Sequence, residues 1–140
     1  PGVNITFKLL ELASQFFNKE YDVEILESHH RGKVDAPSGT ALEMAKIITS
    51  VRKNQEASDY CFTRKGRIGP RKENEIGFSV IRGGDIVGEH SVIFAGTGEV
   101  IELTHKSSSR ESYSKGALLA SEFLCNNSPD LYSMSDVLGF

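Results

Sequence analysis

Residues 27 to 41 contain the densest cluster of side chains that could do chemistry in this sequence. Four neighbouring groups in it can carry positive charge: His29, His30, Arg31 and Lys33. Histidine exchanges a proton near neutral pH, and a lysine beside it supplies or stabilises another. Asp35 follows and would orient a cation or the amides of its own loop. The cluster therefore predicts a site that binds an anion and moves protons.

The end of this cluster resembles the start of a helix. Ser38 is a favourable N-cap residue, and the free N–H groups and dipole of a helix N-terminus favour an anion. Gly39 carries no side chain that would block these amides, and the Thr40 hydroxyl adds a donor. The segment suits a small substrate with one or more carboxylates or phosphates.

The histidines do not form a metal-ligating pattern. His29 and His30 would point to opposite faces of a strand, which disfavours a shared ion. His90 and His105 fall on predicted strands without a nearby cysteine or HxxxH spacing. We therefore expect no metal, and a metal hydrolase built on these histidines is kept as a third hypothesis for function.

Two other patterns favour ordinary structure over binding. Residues 64 to 72 hold several basic side chains without interleaved aromatics, which favours a solvated loop over a nucleic-acid site. Gly96-Thr97-Gly98 begins a GxGxxG pattern, but Ile101 stands at its last position. The sequence therefore predicts a turn there, and no dinucleotide site.

Composition places the chain among ordinary globular domains. Its 140 residues are 39% hydrophobic with a net charge of −3, which fits one domain over residues 1 to 140 and argues against whole-domain binding to a polyanion. No apolar run approaches the roughly 18 residues of a membrane span. Cys61 and Cys125 are expected to be reduced, structural thiols. A start without Met suggests a piece of a longer protein.

Helical periodicity predicts three helices around the cluster. The first is capped by Asn4 and buries the apolar residues on one side, namely Ile5, Leu9, Leu12, Ala13 and Phe16. The second follows Ser38 and buries Ala41, Met44, Ala45, Ile48 and Val51. The third starts at a capping box of Ser108 and Glu111.

Strands are predicted mostly between the second and third helices. One strand over residues 21 to 27 precedes the loop that ends at Pro37, and four more lie between residues 60 and 105. This order indicates an α+β fold, with a mixed, largely antiparallel sheet that carries helices on one face. A partner subunit would cover the other face, which includes Ile81, Ile93 and Val100.

Residues 27 to 41 resemble the signature of the dihydrodipicolinate reductase family, E-x-H-H-x-x-K-x-D-A-P-S-G-T-A, with every fixed position present. Segments 82 to 90 and 102 to 110 resemble the same family, as do residues 2 to 4 and 134 to 138. Ser107 departs from the alanine that the family often has. The likeness covers essentially the whole chain.

The resemblance implies the C-terminal substrate-binding and oligomerisation domain of a cytoplasmic homotetramer. The family reduces 4-hydroxy-tetrahydrodipicolinate, a cyclic dicarboxylate, to tetrahydrodipicolinate with NADPH or NADH, on the route to diaminopimelate and lysine. An N-terminal dinucleotide-binding domain holds most of the cofactor. Residues 1 to 140 contain no pyrophosphate-binding motif, so the chain alone is predicted to be inactive.

The resemblance also assigns roles to individual residues. His29 would be the proton donor and acceptor, and Lys33 a second proton donor. The groups that bind the substrate carboxylates would be His30, Gly39 and Thr40, with help from Arg31, Ser38 and Arg110. The alternative function is a non-catalytic module for oligomerisation or anion binding.

Overall fold

A computed structural model describes residues 1–17, 19–52 and 59–140 of the chain. Its elements follow the predicted order, with one further short helix near the C-terminus that was not predicted. Helices α1 and α2 are Gly2–Phe16 and Gly39–Val51, and strands β1 and β2 are Asp22–His29 and Tyr60–Cys61. Strands β3, β4 and β5 are Ile76–Arg82, Gly88–Gly96 and Glu99–Ser107. Helices α3 and α4 are Glu111–Cys125 and Met134–Leu138. No helix in the described ranges is both long and apolar enough to cross a membrane.

The strands form one mixed sheet in the order β2-β3-β1-β4-β5. Strand β3 pairs in parallel with β1 and β2, whereas β4 pairs antiparallel with β1 and β5. This arrangement confirms the α+β expectation. Because β1 alternates, Val23 and Ile25 are buried on the side that carries the helices. Glu27 continues the same inward series, so β1 brings an acidic side chain into the core.

Helix α2 follows its prediction, whereas α1 does not. Helix α2 begins after Ser38 and buries the predicted Ala41, Met44, Ala45 and Ile48. Helix α1 begins after Pro1, with Asn4 inside its first turn, and its buried residues are Thr6, Leu10 and Ser14. The predicted residues Ile5, Leu9, Leu12 and Phe16 are exposed. Two of its three buried residues are polar, so apolar periodicity indicates the wrong face of α1.

The loop over residues 64 to 72 is largely exposed, as the solvated-loop prediction expects, and two of its arginines also pair with carboxylates on and beside the sheet. Arg64 forms ion pairs with Glu24 and Glu75, and Arg71 pairs with Glu24 and with Asp22. The carboxylates therefore bind the basic side chains of this loop within the chain.

Two surfaces away from the core remain apolar. On the sheet face opposite the helices, Ile81 is 47% exposed and Val100 is 59% exposed. Helix α3 buries only Gly116 among its residues.

The capping box predicted for α3 is wrong. Arg110 occupies the N-cap position, and the Ser109 hydroxyl accepts a hydrogen bond from the Glu111 amide.

Candidate functional site

The junction between β1 and α2 is held against the turn that follows β3. The Gly83 amide donates to the His29 carbonyl at 3.0 Å, and the Arg31 amide donates to the Gly84 carbonyl at 3.1 Å. Gly84 has a positive φ of 49°, which glycine adopts without steric cost. The segment 82 to 85 thus supports the loop that carries the predicted site residues.

Glu27 is the central group of this junction. Its side chain is fully buried, and Arg82 binds both carboxylate oxygens at 2.7 Å. His29 Nδ1 lies 2.6 Å from Oε2, and the Ser38 amide donates to Oε1 at 2.9 Å. Burial raises the pKa of Glu27, but hydrogen bonds from Arg82, His29 and Ser38 outweigh burial and hold the pKa below its usual value. Glu27 is therefore an ionised, fully paired carboxylate.

His29 presents its other nitrogen away from Glu27. Its Nε2 makes no hydrogen bond with the described residues, and a Cβ added at Gly88 would lie 3.1 Å from that atom. The imidazole of His90 meets the His29 ring edge-on, with 5.0 Å between centroids. Gly88 leaves room for the His29 ring, and Nε2 is free to exchange a proton with a ligand.

His90 links β4 to the start of α2. Its Nε2 lies 2.9 Å from the Ser38 hydroxyl, which also accepts the Ala41 amide at 3.2 Å and so caps the helix as predicted. Burial, and then the charge of His29, lower the pKa of His90 to about 4. His90 is therefore neutral near pH 7, and its buried Nδ1 has no partner among the described residues.

Lys33 is oriented by Asp35, as the sequence suggested. Its ammonium donates to Asp35 Oδ1 at 2.6 Å, and this hydrogen bond lowers the pKa of Asp35. The Arg82 guanidinium donates to the Asp35 carbonyl at 2.7 Å, which connects this end of the loop to β3. The Lys33 amide donates to the His30 carbonyl at 3.1 Å and closes a turn between them.

The first amides of α2 are open to a ligand. The Ala41 and Leu42 amides are satisfied by the hydroxyl and carbonyl of Ser38, whereas those of Gly39 and Thr40 make no hydrogen bond within the described residues. A Cβ added at Gly39 would meet nothing within 4 Å. The predicted anion site is therefore neither filled nor covered by the described part of the chain.

A cavity of about 250 Å³ adjoins this junction. Its lining consists of Pro1, Gly2, Val3, Asn4, His29, Thr40, His90, His105, Ser112 and Tyr113. The cavity brings His29 and Thr40 together, but the other predicted site residues do not line it: His30, Arg31, Lys33, Ser38, Gly39 and Arg110. No group of three or more potential metal ligands occurs among the described residues.

Sequence reasoning left three residues of this site without a role. The sequence places Glu27 at a fixed position of the signature and Arg82 in a second segment, and it offers His90 only as a disfavoured metal ligand in that segment. The alternation of β1 is the signal that could have found Glu27, since it places the carboxylate beside Val23 and Ile25 on the buried face. A buried carboxylate requires a cationic or hydrogen-bonding partner.

Known proteins resemble this chain over nearly its whole length. The family model described as "Dihydrodipicolinate reductase, C-terminus" matches residues 2–138. The chain belongs to the dihydrodipicolinate reductase family. This assignment confirms the resemblance noted at residues 27 to 41.

Individual members of the family give the same result. A 4-hydroxy-tetrahydrodipicolinate reductase from Polynucleobacter necessarius subsp. necessarius is 54% identical over 138 residues, which are 99% of this chain and 52% of that protein. The enzyme of the same name from Paraburkholderia phymatum is 56% identical over 140 residues, with 99% and 52% covered. The chain spans about half the length of the curated relatives it matches.

A solved member of the dihydrodipicolinate reductase family shares the fold. The dipicolinate-bound dihydrodipicolinate reductase from Paenisporosarcina sp. TG-14 superposes with a TM-score of 0.72 at 26% identity. The superposition covers 96% of this chain and 50% of that chain.

Proposed function

We propose that this chain is the substrate-binding domain, residues 1 to 140, of a 4-hydroxy-tetrahydrodipicolinate reductase of diaminopimelate and lysine biosynthesis, acting in the cytoplasm. The observation that carries the proposal is the β1–α2 junction, where the Glu27–His29 pair lies beside the open amides of Gly39 and Thr40. The Glu27–His29 pair offers a proton-transferring group, and the open amides offer an anion site. The family relatives support this combination.

The anion site fits a cyclic dicarboxylate. One carboxylate of the substrate would accept hydrogen bonds from the Gly39 and Thr40 amides and from the Thr40 hydroxyl. The two amides make no hydrogen bond within the described residues, and a Cβ added at Gly39 would meet nothing within 4 Å. The cationic side chains of the loop would attract and hold the charge of the substrate: His30, Arg31 and Lys33. Ser38 shapes the helix start, and Arg110 adds positive charge beside the cavity-lining Ser112. The relative from Paenisporosarcina sp. TG-14 binds dipicolinate, an anion of this class.

Protons would come from His29 and Lys33. Conversion of 4-hydroxy-tetrahydrodipicolinate to tetrahydrodipicolinate adds one hydride from the nicotinamide and one proton, and it releases the ring hydroxyl as water. A positioned acid contributes roughly 100-fold or more to such a proton transfer. His29 Nε2 is free for this purpose, and Asp35 orients the Lys33 ammonium.

The glycine turn between β4 and β5 does not fit the pyrophosphate of a dinucleotide. Gly96-Thr97-Gly98 joins the antiparallel strands β4 and β5, so it is not the strand-to-helix turn that binds a pyrophosphate. We expect NADH or NADPH, the hydride donor that the family implies, to bind mainly to the other half of the full-length protein. The isolated chain should then show no reductase turnover.

We further propose a homotetramer assembled through the open face of the sheet. Ile81 and Val100 expose apolar surface there, and Ile93 lies on the same face. A second copy of the sheet would remove this surface from water.

The proposed function is tested by assaying the full-length protein with 4-hydroxy-tetrahydrodipicolinate and following the absorbance of NADH or NADPH. We expect reductase turnover that dipicolinate inhibits competitively. The isolated 140-residue chain, assayed in parallel, serves as the matched control. A folded full-length protein without turnover with either cofactor would leave the non-catalytic binding or oligomerisation module as the function.

A further inference from the structure

Glu27 is a buried charged group to which the proposed reaction has given no part. It is fully buried, although an acidic side chain is costly to remove from water. Its partners come from three elements: His29 from β1, Arg82 from β3 and Ser38 from the start of α2. Such an ion pair needs a reason beyond packing, because apolar side chains in place of both Glu27 and Arg82 would fill the same space at lower cost.

The contact with His29 determines where the imidazole proton lies. An ionised carboxylate only accepts hydrogen bonds, so at 2.6 Å from Oε2 the Nδ1 atom of His29 must carry the hydrogen. In the neutral ring, Nε2 then holds the lone pair. That nitrogen makes no hydrogen bond with the described residues, and it lies on the ring that lines the cavity.

The other contacts prevent Glu27 from turning away from His29. Arg82 binds both oxygens, Nη1 to Oε2 and Nη2 to Oε1, each at 2.7 Å. The Ser38 amide holds Oε1 at 2.9 Å. Rotation of the carboxylate would break these bonds together, so the bond to His29 is fixed in direction.

We propose that Glu27, clamped by Arg82, is the positioning residue that holds His29 in the Nδ1–H tautomer and stabilises the imidazolium when Nε2 takes a proton. This inference rests on the proposed reductase function. It assigns the orienting role to a carboxylate on β1 itself, two residues before the proton-transferring group.

Other charged and titratable groups lie on the elements around His29. His90 on β4 packs edge-on at 5.0 Å, and Arg82 lies directly opposite on β3. His105 on β5 and Tyr113 on α3 line the same cavity, together with the N-terminal Pro1. Lys33 and its partner Asp35 complete the set from the loop. Glu27 is the member of this set that places a negative charge against the His29 ring.

A kinetic experiment in the full-length reductase tests this role. We expect Glu27→Gln to lower kcat about 100-fold with KM changed less than about threefold, because Gln keeps an oxygen acceptor but loses the charge. The alkaline limb of the kcat/KM profile should move to lower pH, since the protonated imidazole is less stabilised. Glu27→Asp keeps the charge and should restore part of kcat and the position of that limb. Glu43→Gln, at an exposed glutamate of α2, is the matched control.

The pH profile separates a positioning role from a structural one. Loss of folding alone would lower the yield of active enzyme without moving the profile of what remains. An unchanged kcat and profile in folded Glu27→Gln would overturn the inference, whereas an inactive unsubstituted protein contradicts the proposed function instead.

A second measurement needs neither a variant nor activity. Neutron diffraction from crystals of the deuterated full-length protein near pH 8 locates the hydrogen on the His29 ring. Deuterium on Nδ1 and none on Nε2 is the expected result. Deuterium on Nε2 alone would overturn the inference even if every Glu27 variant failed to fold.

Discussion

The Ser38 hydroxyl connects the start of α2 to the buried ring of His90. It accepts the Ala41 amide at 3.2 Å and lies 2.9 Å from His90 Nε2, and both residues are at least nine-tenths buried. The Ser38 side chain thus caps the N-terminus of α2 beside the open amides, and it also pairs with the buried Nε2 atom of His90. The geometry of the anion site depends on this hydroxyl.

Removal of that hydroxyl should therefore destabilise the protein. We expect Ser38→Ala to lower the free energy of unfolding by about 2 kcal/mol, because a helix cap is lost and a buried histidine nitrogen is left unpaired. Urea denaturation of the full-length protein measures this change. Ser50→Ala, at an exposed position of the same helix, should change stability by less than about 0.5 kcal/mol. Equal effects of the two substitutions would contradict the prediction.

Turnover should depend on both proposed proton donors. In the full-length enzyme, His29→Gln and Lys33→Ala should each reduce kcat by about 100-fold or more. Lys46→Ala, at an exposed lysine of α2, is the control and should keep the full rate. Unchanged steady-state rates in both site variants would favour the non-catalytic module.

The anion site makes a separate prediction about affinity. A Cβ at Gly39 would contact nothing in the chain, so Gly39→Ala should fold with an unchanged Tm. The methyl group would stand in front of the amides that a substrate carboxylate needs, and we expect KM to rise about tenfold, a loss of about 1.4 kcal/mol. A Gly39→Ala enzyme with the original KM would place the carboxylate elsewhere.

Stability should fall as the solution is acidified from pH 6.5 towards 4. The pKa of His90 is lowered from 6.5 to about 4 in the folded chain, so in this window the unfolded state binds more protons than the folded state. The stability that neutral His90 provides is present above pH 6.5 and is lost as the pH falls. In His90→Gln the dependence should be shallower by up to about 1.4 kcal/mol per pH unit. Urea titrations at several pH values measure the slope, and equal slopes would contradict the assignment.

Assembly through the sheet is tested at Ile81. A glutamate there would bury a charge in the proposed interface, so if the full-length protein is the proposed tetramer, Ile81→Glu should convert it to smaller species in light scattering. Ser50→Glu, at an exposed position on the helix side of the sheet, should leave the tetramer intact. A tetrameric Ile81→Glu protein would exclude this face as the interface.

Local sequence patterns predicted those elements in which the apolar spacing coincides with the buried face. The cap at Ser38 and the buried stripe from Ala41 to Ile48 required only helical spacing and a hydroxyl before it. Helix α1 differs, because Thr6 and Ser14 are buried while Leu9 and Phe16 are exposed. The buried face of α1 is determined by how the helix packs against α2 and β5, which the sequence of α1 does not contain.

In the candidate site, contacts between neighbours in the sequence could be predicted, whereas contacts between distant residues could not. The β1–α2 cluster and the open Gly39 amide could be predicted, since they depend on neighbours in the chain. The partnership of Glu27 with Arg82 joins residues that are 55 positions apart and follows from the register of β1 against β3. His90 meets Ser38 across 52 positions, because β4 places His90 beside Glu27 and α2 begins at the same carboxylate. These contacts depend on strand register and on the packing of α2, which local sequence spacing does not encode.

Backbone hydrogen bonds at His29 and Arg31 fasten the loop between β1 and α2 to the glycine turn after β3. These two bonds oppose movement of the loop away from the sheet. A small ligand would then meet a backbone that already lies in place, so ordering of this loop would add little to the free-energy cost of binding.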